Sequence, residues 1–349
     1  MRLYNLGKVP WDESQLIYHA LGALGIEALS LVSPATPYVS IGFHQNADRE
    51  VDMEYCRAKG IPVFRREVGG GAVYLDGHQL FFQLILRKDN PLAPARKESF
   101  YRKFLEPVVN VYRRIGIEAV YKPINDVIAG TRKISGTGAG EIGDCVVFVG
   151  NLIVDFDYET MCRVLRVPDE KFRDKVHKTL RENLSTIRRE LGEEDAGTWD
   201  DAALNALMAE EFQKILGPME AWDRDDILHA KIAELRERML EDAWLYRRGR
   251  PAIERDIKIR AGVEVRHRMH KAPGGLIRAD FEMVEGAYGR VRLSGDFFCF
   301  PEKAVSDLEA LLQGKPFEEL ESLLKGFYEE NRVETPGVSQ DDWRTVLGP

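Results

Sequence analysis

Three consecutive glycines, Gly69–Gly71, limit the possible folds of this chain more strongly than any other feature of its sequence. The segment before them, residues 61–67, has the composition of a strand, so the glycines lie where a strand ends. Without Cβ atoms, their backbone N–H groups can approach a ligand closely and point at it together, which suits a phosphate or a carboxylate. A tight turn between two strands, which needs no ligand, is the alternative.

Two arginines immediately before the glycines favour the ligand over the plain turn. Because successive strand residues point to opposite sides, the guanidinium of Arg65 or of Arg66 should face the glycine backbone. The run is not the dinucleotide-binding fingerprint, because no G-x-G-x-x-G opens a helix here. It is not a P-loop either, because no Gly-Lys-Ser/Thr follows. The sequence therefore predicts an anion site at the glycines.

A second glycine-rich segment, residues 130–140, surrounds Lys133 and is predicted to be a loop between two strands. A lysine held in such a loop can stabilise developing negative charge on a phosphate and on an acyl oxygen. Asn125 and Asp126 precede it in a turn, where they could bind Mg²⁺ or the edge of an adenine, or form an Asx turn only. An exposed loop lysine without a ligand is the alternative for Lys133.

Length and composition place the chain in a broad class. At 349 residues it exceeds the usual size of one hydrophobic core, so we expect a catalytic domain and a smaller second domain. No segment reaches the roughly 18 apolar residues of a membrane span, and the N-terminus lacks a secretory signal, so the expected location is the cytoplasm. A net charge of −8 gives no general attraction to nucleic acid.

The four cysteines have no paired spacing, which disfavours a zinc site and a disulfide framework. We expect most of them to be thiols in the core. They are Cys56, Cys145, Cys162 and Cys299.

Apolar periodicity predicts the elements of the first half of the chain. Aromatic and apolar residues recur every four positions from Phe100 to Tyr112, which predicts an amphipathic helix that ends at Gly116. Shorter helices are predicted at residues 13–25 and 50–60. Strand-like runs occupy residues 38–43, 61–67, 78–87, 117–122 and 146–157.

The second half changes character twice. Residues 158–247 are charged and predicted to be helical, with helices at 171–184, 201–217 and 225–249 and a linker at 191–200. From residue 251 onward, alternating strands are followed by two helices at 304–314 and 317–330. This last part is predicted to be a self-contained α+β module.

Taken together, these motifs resemble the lipoate-protein ligase family, within the larger biotinyl/lipoyl transferase fold. The resemblance covers most of residues 25–190, where the Arg-Arg, triple glycine, Asn-Asp and Gly-x-x-Lys-Ile-Ser-Gly elements occur in the family's order and at about its spacing. The segment WLYRRGRPAIE, from Trp244, and the motif LSGDFF, residues 293–298, are similar to the family's accessory domain.

The resemblance implies an α+β fold. It consists of a catalytic domain with a mixed and antiparallel sheet, residues 1–243 with a helical segment at 158–243, and a smaller α+β accessory domain, residues 244–349. It implies an ATP-dependent ligase that activates lipoate or octanoate as an acyl-adenylate, with Mg²⁺. The enzyme then transfers the acyl group to a lysine of a lipoyl-domain or H-protein-like acceptor. We expect a monomer.

The family's functional residues map onto this sequence one by one. Lys133 aligns with the family's essential lysine, which contacts the α-phosphate and the acyl carbonyl. Asn125 and Asp126 align with the Asn-Asp pair beside the nucleotide and the metal. The positions that line the acyl-adenylate are Arg66, Gly69, Gly70, Gly71 and Ala72.

This chain departs from the family pattern at three positions that bear on acid specificity. Val68 replaces a small hydroxyl residue before the glycines, and Leu75 replaces a histidine after them. Val149 replaces the histidine of a His-Gly-Ser/Thr motif. An acyl chain needs a narrow apolar tunnel, for which Phe43, Val73 and Val149 are candidate walls.

Other functions remain as alternatives. A cysteine-dependent octanoyl or lipoyl transferase shares the fold and uses no ATP, but only Cys145 and Cys162 lie near Lys133 in sequence, and both lie among core-like residues. A biotin ligase lacks support, because its arginine- and glycine-rich loop is absent. The basic segment 171–181 could meet an acidic lipoyl domain or be a solvated helix face.

Overall fold

The computed structural model describes residues 1–93, 96–167, 169–249, 257–260 and 263–348. Two compact units share the chain in an interleaved way. Unit 1 contains Met1–Ser40, Val51–Arg65 and Val73–Leu245, and unit 2 contains Ile41–Glu50, Arg66–Ala72 and Tyr246–Pro349. Two short N-terminal segments thus belong to the same unit as the C-terminal part. The contiguous division between residues 243 and 244 stays a prediction.

The strands of the first 245 residues are mostly short. They are β1 (Arg2–Val9), β2 (Ala28–Pro34), β3 (Tyr38–Ile41), β4 (Val63–Arg65), β5 (Val73–Leu75), β6 (Gln79–Arg87), β7 (Ala119–Lys122), β8 (Asp126–Ala129), β9 (Arg132–Ser135), β10 (Thr137–Ile142), β11 (Cys145–Ile153) and β12 (Glu220–Ala221).

The helices of the same part differ widely in length. They are α1 (Glu13–Ala23), α2 (Ala47–Glu50), α3 (Met53–Ala58), α4 (Lys97–Arg114), α5 (Tyr158–Val164), α6 (Glu170–Asn183), α7 (Ile187–Leu191), α8 (Glu193–Ala196), α9 (Asp201–Leu216), α10 (Asp226–Met239) and α11 (Asp242–Leu245).

A six-stranded mixed sheet forms the core of unit 1, in the order β10-β11-β6-β2-β1-β12. Strands β1 and β2 run parallel, which the crossover through α1 makes possible, whereas β6 pairs antiparallel with both β2 and β11. All residues of β6 except Arg87 are buried, which explains its continuous apolar sequence. The sheet therefore confirms the predicted mixed and antiparallel arrangement.

Helix α4 covers part of this sheet with aromatic side chains. The rings of Phe100 and Phe104 lie 4.7 Å apart, and that of Phe100 lies 5.8 Å from Phe148 of β11. The helix ends before Gly116, whose φ of +94° is a left-handed conformation that favours glycine. The four-residue repeat thus predicted this helix correctly.

Two three-stranded sheets complete the strand pairing of the first 245 residues that the structure describes, in the orders β4-β3-β5 and β7-β8-β9. The second of these corrects a prediction, because Lys133 lies in strand β9 and not in a loop. The glycine-rich residues after it also form a strand, β10, which pairs with β11 from Thr137 to Ile142. Pairing with the strands that precede β9 and follow β10 outweighs the local preference of glycine for loops.

The C-terminal part of unit 2 is a four-stranded antiparallel sheet covered on one face by helices. Its strands are β13 (Ile257–Arg260), β14 (Val263–Ala272), β15 (Gly275–Val284) and β16 (Ala287–Gly295), in that order. The helices are α12 (Ala304–Leu312), α13 (Leu320–Asn331) and α14 (Gln340–Leu347). Residues 250–256, which include part of the predicted accessory-domain motif, lie outside the described residues.

Most other predicted elements agree with the structure, but the single helix predicted at 225–249 is divided into α10 and α11, and the strand predicted at 61–67 is limited to β4. Helix α14, which the sequence did not predict, begins with a capping box in which Ser339 and Asp342 bond each other's backbone N–H groups. The predicted linker at residues 191–200 contains the short helix α8. In the described part of the chain, no helix has the length and apolar character needed to cross a membrane. The cytoplasmic location and the monomeric state stay predictions.

One buried hydroxyl ties helix α4 to two strands of unit 1. The hydroxyl of Tyr112 donates to the carbonyl of Ile134, 2.7 Å away, and accepts from the N–H of Ile153 at 3.3 Å. Burial raises the pKa of Tyr112, so the hydroxyl keeps its proton. It therefore fixes the residue that directly follows Lys133.

We expect Tyr112→Phe to lower the free energy of unfolding by about 1–3 kcal/mol, because two buried backbone groups lose their partner. Denaturation by urea measures the change. Tyr121→Phe is the matched control, since its hydroxyl bonds the carbonyl of Ile124 at a partly exposed place where water can substitute. Equal losses in the two variants would contradict the role given to Tyr112.

Candidate functional site

Lys133 forms an ion pair with Asp126 on the neighbouring strand. Its Nζ atom lies 2.7 Å from Oδ1 of Asp126, and the two side chains are 37% and 30% exposed. Lys133 pairs with Ile128 across the β8–β9 ladder, next to a register irregularity between Val127 and Ile128. The structure thus brings the predicted lysine and the predicted aspartate into direct contact, with both still reachable from solvent.

The main chain of Lys133 is held from the opposite side. Its carbonyl accepts from the N–H of Ser185 at 2.8 Å, and Leu184 forms a parallel bridge with it. Beside it, Arg132 pairs with Glu190 at 2.8 Å. The backbone of the lysine is therefore fixed on both edges of its strand, while the ammonium group remains accessible.

Asn125 fastens the start of β8 to the start of β10. Its Nδ2 atom donates to the carbonyl of Thr137 at 2.6 Å, and the hydroxyl of Thr137 donates to the carbonyl of Asn125 at 2.5 Å. This reciprocal pair holds the two segments on either side of Lys133. In this conformation the side-chain amide of Asn125 donates to the backbone of Thr137.

A chain of side-chain amides holds the segment after Lys133, and the sequence did not predict it. Oδ1 of Asn151 accepts from the N–H of Gly136 at 2.9 Å, and Nδ2 of Asn151 donates to Oε1 of Gln79 at 2.7 Å. The hydroxyl of Ser135 donates to the carbonyl of Asn151 at 2.6 Å. Polar residues inside the apolar runs of β6 and β11 were the available signal, because buried amides need partners.

The glycine loop lies in unit 2, where Arg66 closes it on itself. Nη2 of Arg66 donates to the carbonyls of Gly69 and Gly71 at 2.8 and 2.9 Å, and its Nε donates to Gly69 at 3.3 Å. As the alternation of strand residues predicts, one of the two arginines faces the glycine backbone. It contacts the carbonyl groups of the loop, and Ala72 follows half-buried.

Close approach explains the glycines at two positions. Gly70 has a φ of +92°, which side chains rarely adopt, and its N–H donates to the carbonyl of Phe297 at 3.4 Å. A Cβ atom on Gly42 would lie only 1.9 Å from the carbonyl oxygen of Gly70. Only glycine therefore permits residues 41–50 and 66–72 to pack together in unit 2.

Arg65 has a structural role in unit 1. It is fully buried, and its Nε and Nη2 atoms donate to the carbonyl of Leu245 at 3.0 and 2.6 Å. Its own carbonyl accepts from the indole N–H of Trp244 at 2.9 Å. The two neighbouring arginines therefore have different roles: Arg65 binds the end of α11, and Arg66 binds the glycine loop.

The three family departures occupy covered positions. Val68 and Leu75 are buried, and Val149 is half-buried in β11. Among the predicted tunnel walls, Val73 is exposed, and the ring of Phe43 faces the guanidinium of Arg247 at 4.0 Å. The tunnel itself stays a prediction.

The cysteines are buried, as predicted from their surroundings in the sequence. All four are free thiols in covered positions. Burial raises the pKa of Cys56 to about 11, with the charge of Asp52 adding to the effect. Burial also raises the pKa of Cys145 and of Cys162. None of these three has the lowered pKa of an activated nucleophile.

The structure thus assembles Lys133, Asp126 and Asn125 in unit 1, and Arg66 with its glycines in unit 2. In the ranges that the structure describes, no group of three or more His, Cys, Asp or Glu side chains could hold a metal ion. Asp126 is the carboxylate beside Lys133, and Mg²⁺ in nucleotide sites is typically held by one or two carboxylates together with phosphates. The roles of the individual site residues stay predictions.

Among the curated proteins that this chain resembles in sequence, some are named lipoate-protein ligases and others octanoyltransferases. It is 36% identical to lipoate-protein ligase A subunit 1 of Thermoplasma acidophilum, over 43% of this chain and 59% of that protein. It is 26% identical to lipoate-protein ligase 1 of Staphylococcus aureus, over 94% of this chain and 89% of the relative. It is also 26% identical to octanoyltransferase LipM of Kyrpidia tusciae, over 68% of this chain and 93% of that one.

Solved structures show the same fold. A bipartite lipoate protein ligase of T. acidophilum, described with its E2 lipoyl domain, has a TM-score of 0.61 at 25% identity over 70% of this chain and 95% of its own. LipL1 of P. falciparum with lipoate has a TM-score of 0.69 at 17% identity over 95% of both chains. Lipoate-protein ligase A with bound ATP has 0.56 at 23%, over 70% and 98%.

The family model of the lipoyl protein ligase A/B catalytic domain matches residues 11–213, which is more than half of the chain. That range includes Lys133, Asp126 and Asn125 as well as the glycine loop. The chain therefore belongs to the lipoyl protein ligase A/B family, as the order and spacing of its motifs predict.

Proposed function

We propose that this protein is an ATP-dependent lipoate-protein ligase. It activates lipoate or octanoate as an acyl-adenylate and transfers the acyl group to a lysine of a lipoyl-domain or H-protein-like acceptor. The observation that carries the proposal is the ammonium group of Lys133, which is fixed through its main chain, paired with Asp126 and 37% exposed. The ligases among the relatives and the ATP-bound ligase of the same fold support it.

In the first step a carboxylate oxygen of the acid attacks the α-phosphorus of ATP, a phosphorus–oxygen bond forms, and pyrophosphate leaves. Negative charge develops on the α-phosphate, and a fixed cation nearby lowers the barrier. Lys133 provides this cation. Because Asp126 holds the ammonium at 2.7 Å before substrate binds, the enzyme loses little side-chain entropy in placing it.

In the second step the neutral amine of the acceptor lysine attacks the acyl carbonyl, a carbon–nitrogen bond forms, and AMP leaves with the proton balance completed by solvent. The same ammonium group of Lys133 stabilises the oxyanion that forms on the carbonyl oxygen. Asn125 and Asn151 keep the segments before and after the lysine in place through their hydrogen bonds.

Mg²⁺ and the phosphates of ATP fit the donor set around Lys133. Asp126 supplies a partly exposed carboxylate, which is the ligand type that Mg²⁺ prefers, and it would hold the ion together with phosphate oxygens. When bound, the ion would neutralise negative charge on the phosphates. Asn125 would act by fixing the backbone beside that carboxylate.

An octanoyl or lipoyl transferase with a cysteine nucleophile is the second candidate, because three relatives of this chain are named octanoyltransferase LipM. Such an enzyme needs an accessible thiolate. All four thiols here are buried, and burial raises the pKa of Cys145 and Cys162, which favours the inert protonated form. The buried thiols therefore support the ATP-dependent reaction over the transferase.

One assay separates the two candidates. We expect the protein mixed with lipoate, ATP, Mg²⁺ and a lipoyl-domain acceptor to release pyrophosphate and to increase the acceptor's mass by one acyl group. Cys145→Ser and Cys162→Ser should retain this activity. Acylation that occurs only from an acyl-carrier thioester, and that disappears in either cysteine variant, would replace the ligase by the transferase.

We expect Lys133→Ala to slow acyl-adenylate formation by at least about 100-fold, because the transition state loses its fixed positive charge. Lipoate-dependent pyrophosphate release measures the rate, and circular dichroism with urea denaturation checks that the variant is folded. Lys59→Ala, which changes an exposed lysine at the end of α3, is the control and should leave the rate unchanged. Near wild-type activity in the Lys133 variant would remove the lysine from the mechanism.

Helix α6 offers a surface for the acceptor beside Lys133. None of its residues is buried, and Phe172 is 46% exposed. Its sequence carries the basic segment 171–181, and the chain after the helix pairs with Lys133 through Leu184 and Ser185. An acidic acceptor domain that docks on α6 would therefore lie next to Lys133.

We expect the double variant Lys175→Glu/Lys178→Glu to raise the KM for the acceptor several-fold, because like charges repel an acidic partner. Formation of the acyl-adenylate, measured as pyrophosphate release without acceptor, should not change. Arg57→Glu/Lys59→Glu at the end of α3 carries the same change in charge and is the control. An unchanged acceptor KM in the α6 variant would leave the helix as a solvated face only.

A further inference from the structure

Unit 2 contains a cavity of about 310 Å³ beside its four-stranded sheet, and the lining of this cavity is rich in arginine. Arg248, Arg290 and Arg292 contribute to the wall, together with Glu282 and Glu309. None of these residues belongs to the site around Lys133, which lies in unit 1. The function proposed above leaves the cavity without a role.

Arg248 is the most deeply placed of these arginines. Its side chain is 9% exposed, and its Nη1 atom donates to both carboxylate oxygens of Glu309, at 3.0 and 3.2 Å. Its Nη2 atom lies 3.2 Å from Nδ1 of His44. The Nε atom is buried without a hydrogen-bond partner. A buried charged donor without a partner costs free energy, so an acceptor from a ligand would be stabilising there.

Arg290 and Arg292 provide positive charge that no salt bridge neutralises within the part of the chain that the structure describes. Both lie on β16 and point to the same face of the sheet, because they are two residues apart. Of the residues that the structure describes, none forms an ion pair with either guanidinium. Burial raises the pKa of Glu309, whereas Arg248, the N–H of Leu293 and the charge of Arg292 lower it. The carboxylate of Glu309 is thus already shared among donors.

The third acidic residue of the lining faces other partners. Asp280, which pairs with Arg292 across the β15–β16 ladder, accepts a hydrogen bond from Nη2 of Arg49 at 3.2 Å and contacts Nδ1 of His267 at 2.5 Å. The carboxylate of Glu282 accepts only a long hydrogen bond, 3.3 Å, from the backbone N–H of Arg290. Arg247 also lines the cavity, so four arginines stand against three carboxylates among its described lining residues, and positive charge exceeds negative charge at the cavity surface.

We propose that this cavity binds a small molecule that carries phosphate groups. Planar guanidinium groups match phosphate oxygens with paired hydrogen bonds, and several converging guanidiniums favour a multiply charged phosphate over a single carboxylate. The volume is many times the roughly 30 Å³ that one water molecule occupies, so it accommodates more than an orthophosphate ion. Its size lies at the lower end of the range for small-molecule sites.

Pyrophosphate is the probe, and calorimetric titration of the full chain is the measurement. The reference protein is the Lys133→Ala variant. Because it lacks the cation of the acyl-transfer site, pyrophosphate bound at Lys133 does not contribute to the signal. We expect binding by the reference protein that weakens as salt increases. When Arg290→Ala and Arg292→Ala are added to the reference protein, its affinity for pyrophosphate should fall at least about tenfold, because two charged donors are lost.

A matched pair of charge losses and a change of opposite sign complete the test. Lys303→Ala/Lys325→Ala removes two exposed positive charges of the same unit away from the cavity and should leave the affinity within about twofold. Glu282→Gln keeps the shape of the side chain and removes a negative charge, so affinity should increase. No pyrophosphate binding by the reference protein, or equal weakening in the arginine and lysine pairs, would overturn the proposal. Neither result depends on whether the protein is a ligase.

Discussion

The ion pair between Lys133 and Asp126 depends on a backbone that is fixed at every residue around it. Ser185 holds the carbonyl of the lysine, the hydroxyl of Tyr112 holds that of Ile134, and Asn151 holds the N–H of Gly136. These bonds come from a helix, a strand and a connecting segment that are distant in sequence. Because the lysine side chain itself is long and flexible, only such a fixed backbone can limit where its charge acts.

The glycine loop is subject to a competition between the protein and a ligand. Arg66 makes three hydrogen bonds to the carbonyls of Gly69 and Gly71, so an anion that takes its guanidinium must replace them. A guanidinium bonds an anionic phosphate, where both partners are charged, more strongly than a neutral carbonyl, which makes the exchange favourable. The same residue can therefore hold the loop before a ligand binds and contact the ligand afterwards.

Local pattern explains which parts of the fold were predictable. Helix α4 has strong apolar periodicity and strands β6 and β11 are apolar runs of strand length, and all three were predicted. The site lysine was assigned to the right motif but to the wrong element, because glycines around it suggest a loop while β8 and Leu184 make it a strand. The bond between Gln79 and Asn151 joins residues 72 positions apart, so the sequence indicates that each buried amide needs a partner but not which partner it has.

Buried amides near the lysine also explain why the strands keep one register. A slip by one residue between β6 and β11 would separate Gln79 from Asn151 and leave Oε1 of Gln79 and Nδ2 of Asn151 without the bond that joins them in the core. The free energy lost would be several kcal/mol by the usual cost of unsatisfied buried polar groups, on the order of 1–3 kcal/mol each. Apolar residues at these positions would fill the space but would tolerate the slip. The main effect of the polar pair is therefore to fix the register of the two strands. That register sets the position of Gly136, and through it the position of Lys133.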